Sequence, residues 1–142
     1  MLPVVKADAY GHGAVAVARA LEPAGAAGFA VALVEEGIEL RQAGVRSQVL
    51  VLSPTPEGAE DALLEFGLVP AVSGLDQLER IEARALASGR RLDVHLKCDT
   101  GMSRLGLPEA TAEEVLARVR GSRALRLAGL MSHLAEAENA QS

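Results

Sequence analysis

Short apolar runs alternate with segments of helical period along the whole 142-residue chain, and no other feature constrains its fold as strongly. The runs lie at residues 2–6, 28–32, 48–52, 68–72, 92–98 and 126–131. Each is short, aliphatic and bounded by turn residues, so each predicts a buried strand. Between them, Leu75, Leu78, Ile81, Ala85 and Leu86 mark one apolar stripe at helical spacing. Residues 57–66 predict a helix that stops at Gly67. Thr111 with Glu114 reads as a capping box, and Val115, Leu116 and Val119 carry that helix to Gly121. The face over residues 36–43 is weaker, and Gly37 interrupts it.

Repeated strand–helix units imply parallel strands with right-handed crossovers. An open doubly wound sheet and a (β/α)8 barrel both satisfy that rule. Lys6, Ser53, Ser73, Lys97 and His133 all fall at or just beyond predicted strand ends. In a barrel such ends converge on one mouth, which favours the barrel. The expected fold class is therefore α/β, a partial TIM-like (β/α)8 barrel with about six of eight strand–helix units.

Composition narrows the remaining choices. Hydrophobic residues make up 49% of the chain but aromatics only 2%, so the core is built from Ala, Val, Leu and Ile. Such a core suits close packing of helices on a sheet. A net charge of −5 without a basic cluster disfavours nucleic acid. The apolar runs are too short to span a membrane, and no secretory signal is visible. Cys98 is the single cysteine, which excludes an internal disulfide. A soluble cytoplasmic protein is expected.

Three segments carry candidate chemistry. In Val4-Val5-Lys6-Ala7-Asp8-Ala9-Tyr10-Gly11-His12-Gly13, an amine stands at the end of a predicted buried strand. Such a lysine is either solvated at a loop start or used, and Schiff-base formation is a leading use. In the segment from Val94 to Gly106, strand alternation puts Val94, Leu96 and Cys98 on one face and His95, Lys97 and Asp99 on the other. Arg104, after a Thr-Gly turn, suits an anionic oxygen. The alternative there is a salt-bridged network without a ligand. The third segment is Gly129-Leu130-Met131-Ser132-His133, where a lone histidine at a strand end is more often a structural residue than a ligand-binding one. Met102 and Met131 read as packing residues, and Cys98 as an inert thiol facing the helices. Glu35, Glu36 and Glu39 read as an exposed helical face. His12, His95 and His133 lack metal-ligand spacing, so no metal is expected.

Taken together, these segments resemble the N-terminal barrel domain of alanine racemase, a pyridoxal-phosphate enzyme of fold type III. VVKADAYGHG resembles the family's cofactor-lysine motif, and GFAVALVEEGIELRQAG its second strand and helix. HLKCDTGMSRLG resembles the fifth-strand motif and GLMSHLAEAEN the sixth, all in the family's order. The resemblance implies that Lys6 bonds the pyridoxal 5'-phosphate aldehyde and acts as a base. Tyr10 would reach the cofactor phosphate, and His133 would lie by the cofactor ring. Arg104 would bond the cofactor's phenolic oxygen near the substrate carboxylate, with Met102 also at the substrate. Lys97 matches a lysine that is carbamylated in some members, which would position Arg104. Ser103 occupies a variable position, and Cys98 replaces a more usual aliphatic residue.

The implied activity is interconversion of L- and D-alanine, feeding D-alanine to peptidoglycan synthesis, in a homodimer. Racemisation needs a second acid–base group on the opposite face of the substrate. In the family that group is a tyrosine from the partner's C-terminal β-domain, whereas the only tyrosine here is Tyr10. Residues 1–142 are therefore expected to be a truncated domain, without the last two barrel strands or the C-terminal β-domain. Such a chain would self-associate or be marginally stable, and alone would be inactive or nearly so. The alternatives are a non-catalytic fragment, or a racemase of another small amino acid such as serine.

Overall fold

The structure is a computed structural model that describes residues 1–136. In chain order the elements are α1 (Lys6–Gly11), α2 (Ala14–Leu21), β1 (Gly28–Val31), α3 (Val34–Gln42), β2 (Gln48–Val51) and α4 (Glu60–Phe66), followed by β3 (Val69–Val72), α5 (Leu75–Ser88), β4 (Leu92–Cys98), α6 (Glu109–Gly121) and β5 (Leu125–Ser132). Five of the six predicted strands form within a residue of their expected bounds. The sixth, residues 2–6, is reduced to one parallel bridge between Val4 and Ala30. Around it the Val5 amide donates to the Ala30 carbonyl and the Ala30 amide to the Pro3 carbonyl, both at 2.8 Å. The last three residues of the Gly129-to-Asn139 motif lie outside the described residues.

The chain divides into two compact units, Met1–Ala71 and Val72–Ser142. In the first, β1 pairs with β2 from Gly28↔Gln48 to Val31↔Val51, and β2 pairs with β3 at Leu50↔Val69 and Val51↔Pro70, all parallel. β1 and β3 are buried at every position, which is why their sequences are continuous apolar runs rather than alternating ones. Leu40, Leu63 and Leu68 pack into this core with no exposed surface. Gly37 is a contact and not a break in α3. A Cβ there would stand 3.0 Å from Leu68 and 3.5 Å from Val49, so only glycine lets the helix sit this close. α4 stops at Gly67 in the left-handed conformation, as its sequence predicts.

Arg41 fastens the first unit's loops. Its guanidinium donates to the carbonyls of Phe66 at 2.9 Å, Val45 at 2.9 Å, Ser47 at 2.6 Å and Gly67 at 3.0 Å. One planar fork thus satisfies the C-terminal end of α4 and the turn before β2. Burial pushes the Arg41 pKa down, and the Glu22 carboxylate opposes that shift.

In the second unit β4 and β5 pair in parallel from Leu92↔Leu125 to Cys98↔Ser132. α5 buries Gln77, Leu78, Ile81 and Ala85, while Leu75 and Leu86 stay exposed, so its apolar stripe is narrower than predicted. The predicted capping box does not form. α6 begins at Glu109, and Thr111 already lies inside it, its hydroxyl donating to the Pro108 carbonyl at 3.2 Å. Arg118 ties α6 to α5 through Glu79 at 2.8 Å and Glu82 at 2.9 Å. Among the described residues no helix is long and apolar enough to cross a membrane.

Arg41→Ala removes four charge-assisted bonds and leaves their carbonyls to water. Urea unfolding will show a loss of about 2 kcal/mol. An unchanged midpoint would show that the fork contributes nothing net.

Candidate active site

Lys6 does not end a strand. It opens α1, a turn whose next four residues, Ala7, Asp8, Ala9 and Tyr10, have φ between 49° and 55° and ψ between 36° and 51°. That is left-handed helix, which costs on the order of 1–2 kcal/mol for each residue bearing a Cβ. Contacts from outside the turn must offset this. The Ala9 amide donates to the Val5 carbonyl at 2.9 Å, and Ala9 is buried. The Glu36 carboxylate accepts from the Ala7 amide at 2.7 Å through one oxygen, and from the Ala32 and Leu33 amides at 2.6 and 3.0 Å through the other. At the far end Asp8 accepts from the Ala14 amide at 2.6 Å and so caps α2. Gly11 and Gly13, with φ of +86° and +88°, lead the chain out where a side chain would be strained.

Glu36 is thus not part of an exposed face. It is half-buried and fully engaged. The sequence hides this because one of its three donors lies 29 residues away. The only local signal is its place in the first turn of α3, where a carboxylate meets unpaired amides. On the turn it helps to hold, the Lys6 ammonium stands 6.0 Å from the centre of the Tyr10 ring, at the limit of a cation–π contact. Tyr10 itself is 62% exposed.

In the second unit β4 carries His95 and Lys97, which are only 9% and 6% exposed. The His95 ring lies flat on Gly129, where a Cβ would fall 2.7 Å from the imidazole. The register makes room for it: Val94 pairs with Leu127 but His95 with Gly129, so Ala128 is an extra residue on β5. Burial pushes the His95 pKa down, with Asp93 opposing, which keeps the imidazole neutral at neutral pH. Asp93 itself is held below the carboxylate range, chiefly by its paired bonds from Arg126.

β4 runs out into a loop that Asp99 organises. Its carboxylate accepts from the Ser103 and Gly101 amides, both at 3.0 Å, and these bonds hold its pKa down, Ser103 contributing most. The loop returns to the strand where the Leu107 amide donates to the Lys97 carbonyl at 2.7 Å and the Asp99 amide to the Leu107 carbonyl at 3.0 Å. Gly106 passes so close that a Cβ would stand 2.6 Å from the Asp99 nitrogen. The loop presents exposed Arg104 to a cavity of about 330 Å³, walled by Ser73, Asp99, Ser103, Arg104, Leu105 and Gly106. Guanidinium and hydroxyl donors there suit an anionic ligand. Met102 is half-buried and His133, the first residue beyond β5, is exposed; neither is a wall of the cavity. Cys98 is a half-buried free thiol at the strand end. The Thr100 and Ser132 hydroxyls hydrogen-bond at 2.5 Å and tie together the ends of β4 and β5.

The structure therefore brings Lys6 to Tyr10 within one unit, and Asp99 to Arg104 within the other. Parallel α/β units that carry an amine just after a parallel bridge and a guanidinium in the loop after a strand have the arrangement of barrel-type ligand-binding domains. The family model described as alanine racemase, N-terminal domain, matches residues 1–142. An alanine racemase of Sorangium cellulosum is 49% identical over 140 residues, which cover 95% of this chain and 37% of that protein. The solved alanine racemase of Clostridium difficile superposes with a TM-score of 0.91 at 36% identity, over 97% of this chain and 37% of that one. A second structure of that enzyme, in complex with cycloserine, gives 0.88 at 36% identity, over 94% of this chain and 37% of that one. The chain belongs to the alanine racemase family and has the fold of part of its N-terminal barrel domain. It spans a little over a third of the length of these relatives.

Two outcomes test this geometry. Gly129→Ala drives a methyl group into His95 and will lower stability by about 1–3 kcal/mol in thermal unfolding. Asp99→Asn will loosen the loop, seen as faster amide exchange at Gly101 and Ser103. Because folding lowers the Asp99 pKa, its contribution is complete above the ordinary value of 3.8 and declines as pH falls below it. Parent protein should therefore lose protection at these two amides in acid, and the variant should not respond in that range.

Proposed function

We propose that the chain is the lysine-bearing part of an alanine racemase, which interconverts L- and D-alanine with pyridoxal phosphate. The observation that carries this reading is the presentation of Lys6 on a left-handed turn, in a chain matched to the family from end to end. The residues fit the cofactor. A primary amine suits an aldehyde, the open Tyr10 hydroxyl suits a phosphate oxygen, and the backbone at Gly11 has no atom within 4 Å of where a side chain would begin. Bound pyridoxal phosphate acts as an electron sink that acidifies the substrate Cα–H.

The chain's own groups divide the remaining work. The Lys6 Nζ would hold the cofactor and would serve as the base for the Cα proton on one face. Arg104 would donate to an anionic oxygen of cofactor or substrate, Met102 would add an apolar contact to the substrate, and His133 would lie by the cofactor ring. Lys97, buried near the end of β4, would position Arg104 as a carbamate, the form that this lysine takes in some members of the family. The opposite face needs a second proton-transfer group, and the tyrosine assigned to it belongs to a C-terminal domain of a partner subunit. Residues 1–142 alone are thus a cofactor-binding half with little or no turnover.

The test is chemical. The chain is incubated with pyridoxal phosphate and reduced with borohydride, and the modified residue is mapped. The sequence offers only Lys6, Lys97 and the terminal amine. Labelling confined to Lys6 is expected. Labelling of Lys97 and the terminus at the same rate as Lys6, or none at all, would remove the cofactor assignment.

A further inference from the structure

We propose that Glu36 is a positioning residue for Lys6. By accepting the Ala7 amide while anchored on the Ala32 and Leu33 amides, it fixes the first peptide of the left-handed turn and hence the direction in which the lysine side chain leaves the backbone. The proposal rests on the Lys6 reading above and deepens it.

The argument begins with the strain. A run of four left-handed residues does not persist through its own preference, because each peptide would relax to right-handed or extended geometry if released. The peptide that joins Lys6 to Ala7 is the first that must be held. Its N–H points at Glu36 Oε1, 2.7 Å away, and not back along the chain. The other oxygen, Oε2, takes the amides of Ala32 and Leu33 at 2.6 and 3.0 Å, so the carboxylate cannot swing without giving up the start of α3. Glu36 also sits on a packed helix, whose Val34, Gly37 and Leu40 are buried. The lysine-bearing turn is therefore referenced to the β1–α3 corner through one side chain. Asp8 makes the corresponding bond at the other end, to α2, but leaves the Lys6 peptide untouched.

The division of labour between the two oxygens makes the idea testable. Glu36→Gln keeps one acceptor oxygen, which can still serve Ala32 and Leu33. Its amide nitrogen then faces the Ala7 N–H, donor against donor. Glu36→Ala removes all three bonds. Glu39→Gln, on the exposed side of the same helix, is the control. In E36Q, exchange of the Ala7 amide should rise about tenfold while Ala32 and Leu33 stay protected. The ring-current shift of the Lys6 ε-methylene protons from Tyr10 should collapse towards the value of free lysine. The rate of pyridoxal-phosphate labelling at Lys6 should fall about tenfold relative to the terminal amine, with the unfolding midpoint nearly unchanged. E36A should show the same Lys6 effects together with loss of protection at Ala32 and Leu33.

If E36Q leaves the Ala7 amide, the ε-methylene shift and the labelling rate at parental values, the proposal is wrong. It is equally wrong if the Ala7 amide opens but the Lys6 signals do not move, because Glu36 then only caps α3. Should parent Lys6 fail to label at all, the cofactor reading falls, and the exchange and ring-current measurements, which need no cofactor, still decide the role of Glu36.

Discussion

The carboxylate of Glu36, gathering one amide from the lysine turn and two from the start of α3, is the contact that ties the lysine turn to the rest of the first unit. Parallel strands are self-supporting: their backbone groups pair with neighbours and their side chains fill the space between sheet and helices. A left-handed turn of alanyl, aspartyl and tyrosyl residues has neither advantage. It exists because a bridge at Val4, the buried Ala9, the carboxylates of Glu36 and Asp8, and two glycines at its exit over-determine it. Backbone strain that survives in a folded chain is commonly found where a reactive group must be aimed, and the strained turn here follows directly on Lys6.

The second unit achieves a similar end by different means. There the loop that carries Arg104 is a detour from β4 to Leu107, closed by backbone bonds and stiffened by one aspartate. The strand beneath it carries two polar side chains, His95 and Lys97, into buried positions. A bulge in β5 and a glycine without a side chain make room for the imidazole. Both units thus use a carboxylate on backbone amides to define a loop, one after the bridge at Val4 and one after β4. Such bonds are stronger than neutral ones and set the chain's path without a large core.

How much of this the sequence discloses depends on whether the information is local. The buried strands are legible because parallel strands are apolar on both faces, and β4 is predicted residue for residue. The α4 stop at Gly67 is legible for the same reason, since left-handed glycine caps are a local signature. Lys6 was visible as a lysine in an unusual place, but the reason was not: no residue preference signals four left-handed non-glycine residues. Gly11 and Gly13 hinted at a turn and gave no hand to the residues before it. Glu36 reads as part of an exposed face, because the donor that ties it to the lysine turn lies 29 residues away in another element. The Thr111–Glu114 pattern misled in the other direction. It has the right spacing, but α6 is already under way after Pro108.

The hand of the lysine turn can be tested by the sign of one stability change. Ala7 is exposed, so Ala7→Gly removes no packing. If Ala7 is left-handed, the glycine relieves strain and the urea midpoint will rise, by up to about 1 kcal/mol after the unfolded-state entropy of glycine is set against it. If the segment were an ordinary right-handed helix, the same substitution would lower stability by roughly 0.5–1 kcal/mol. A drop would contradict the account of how this chain presents Lys6.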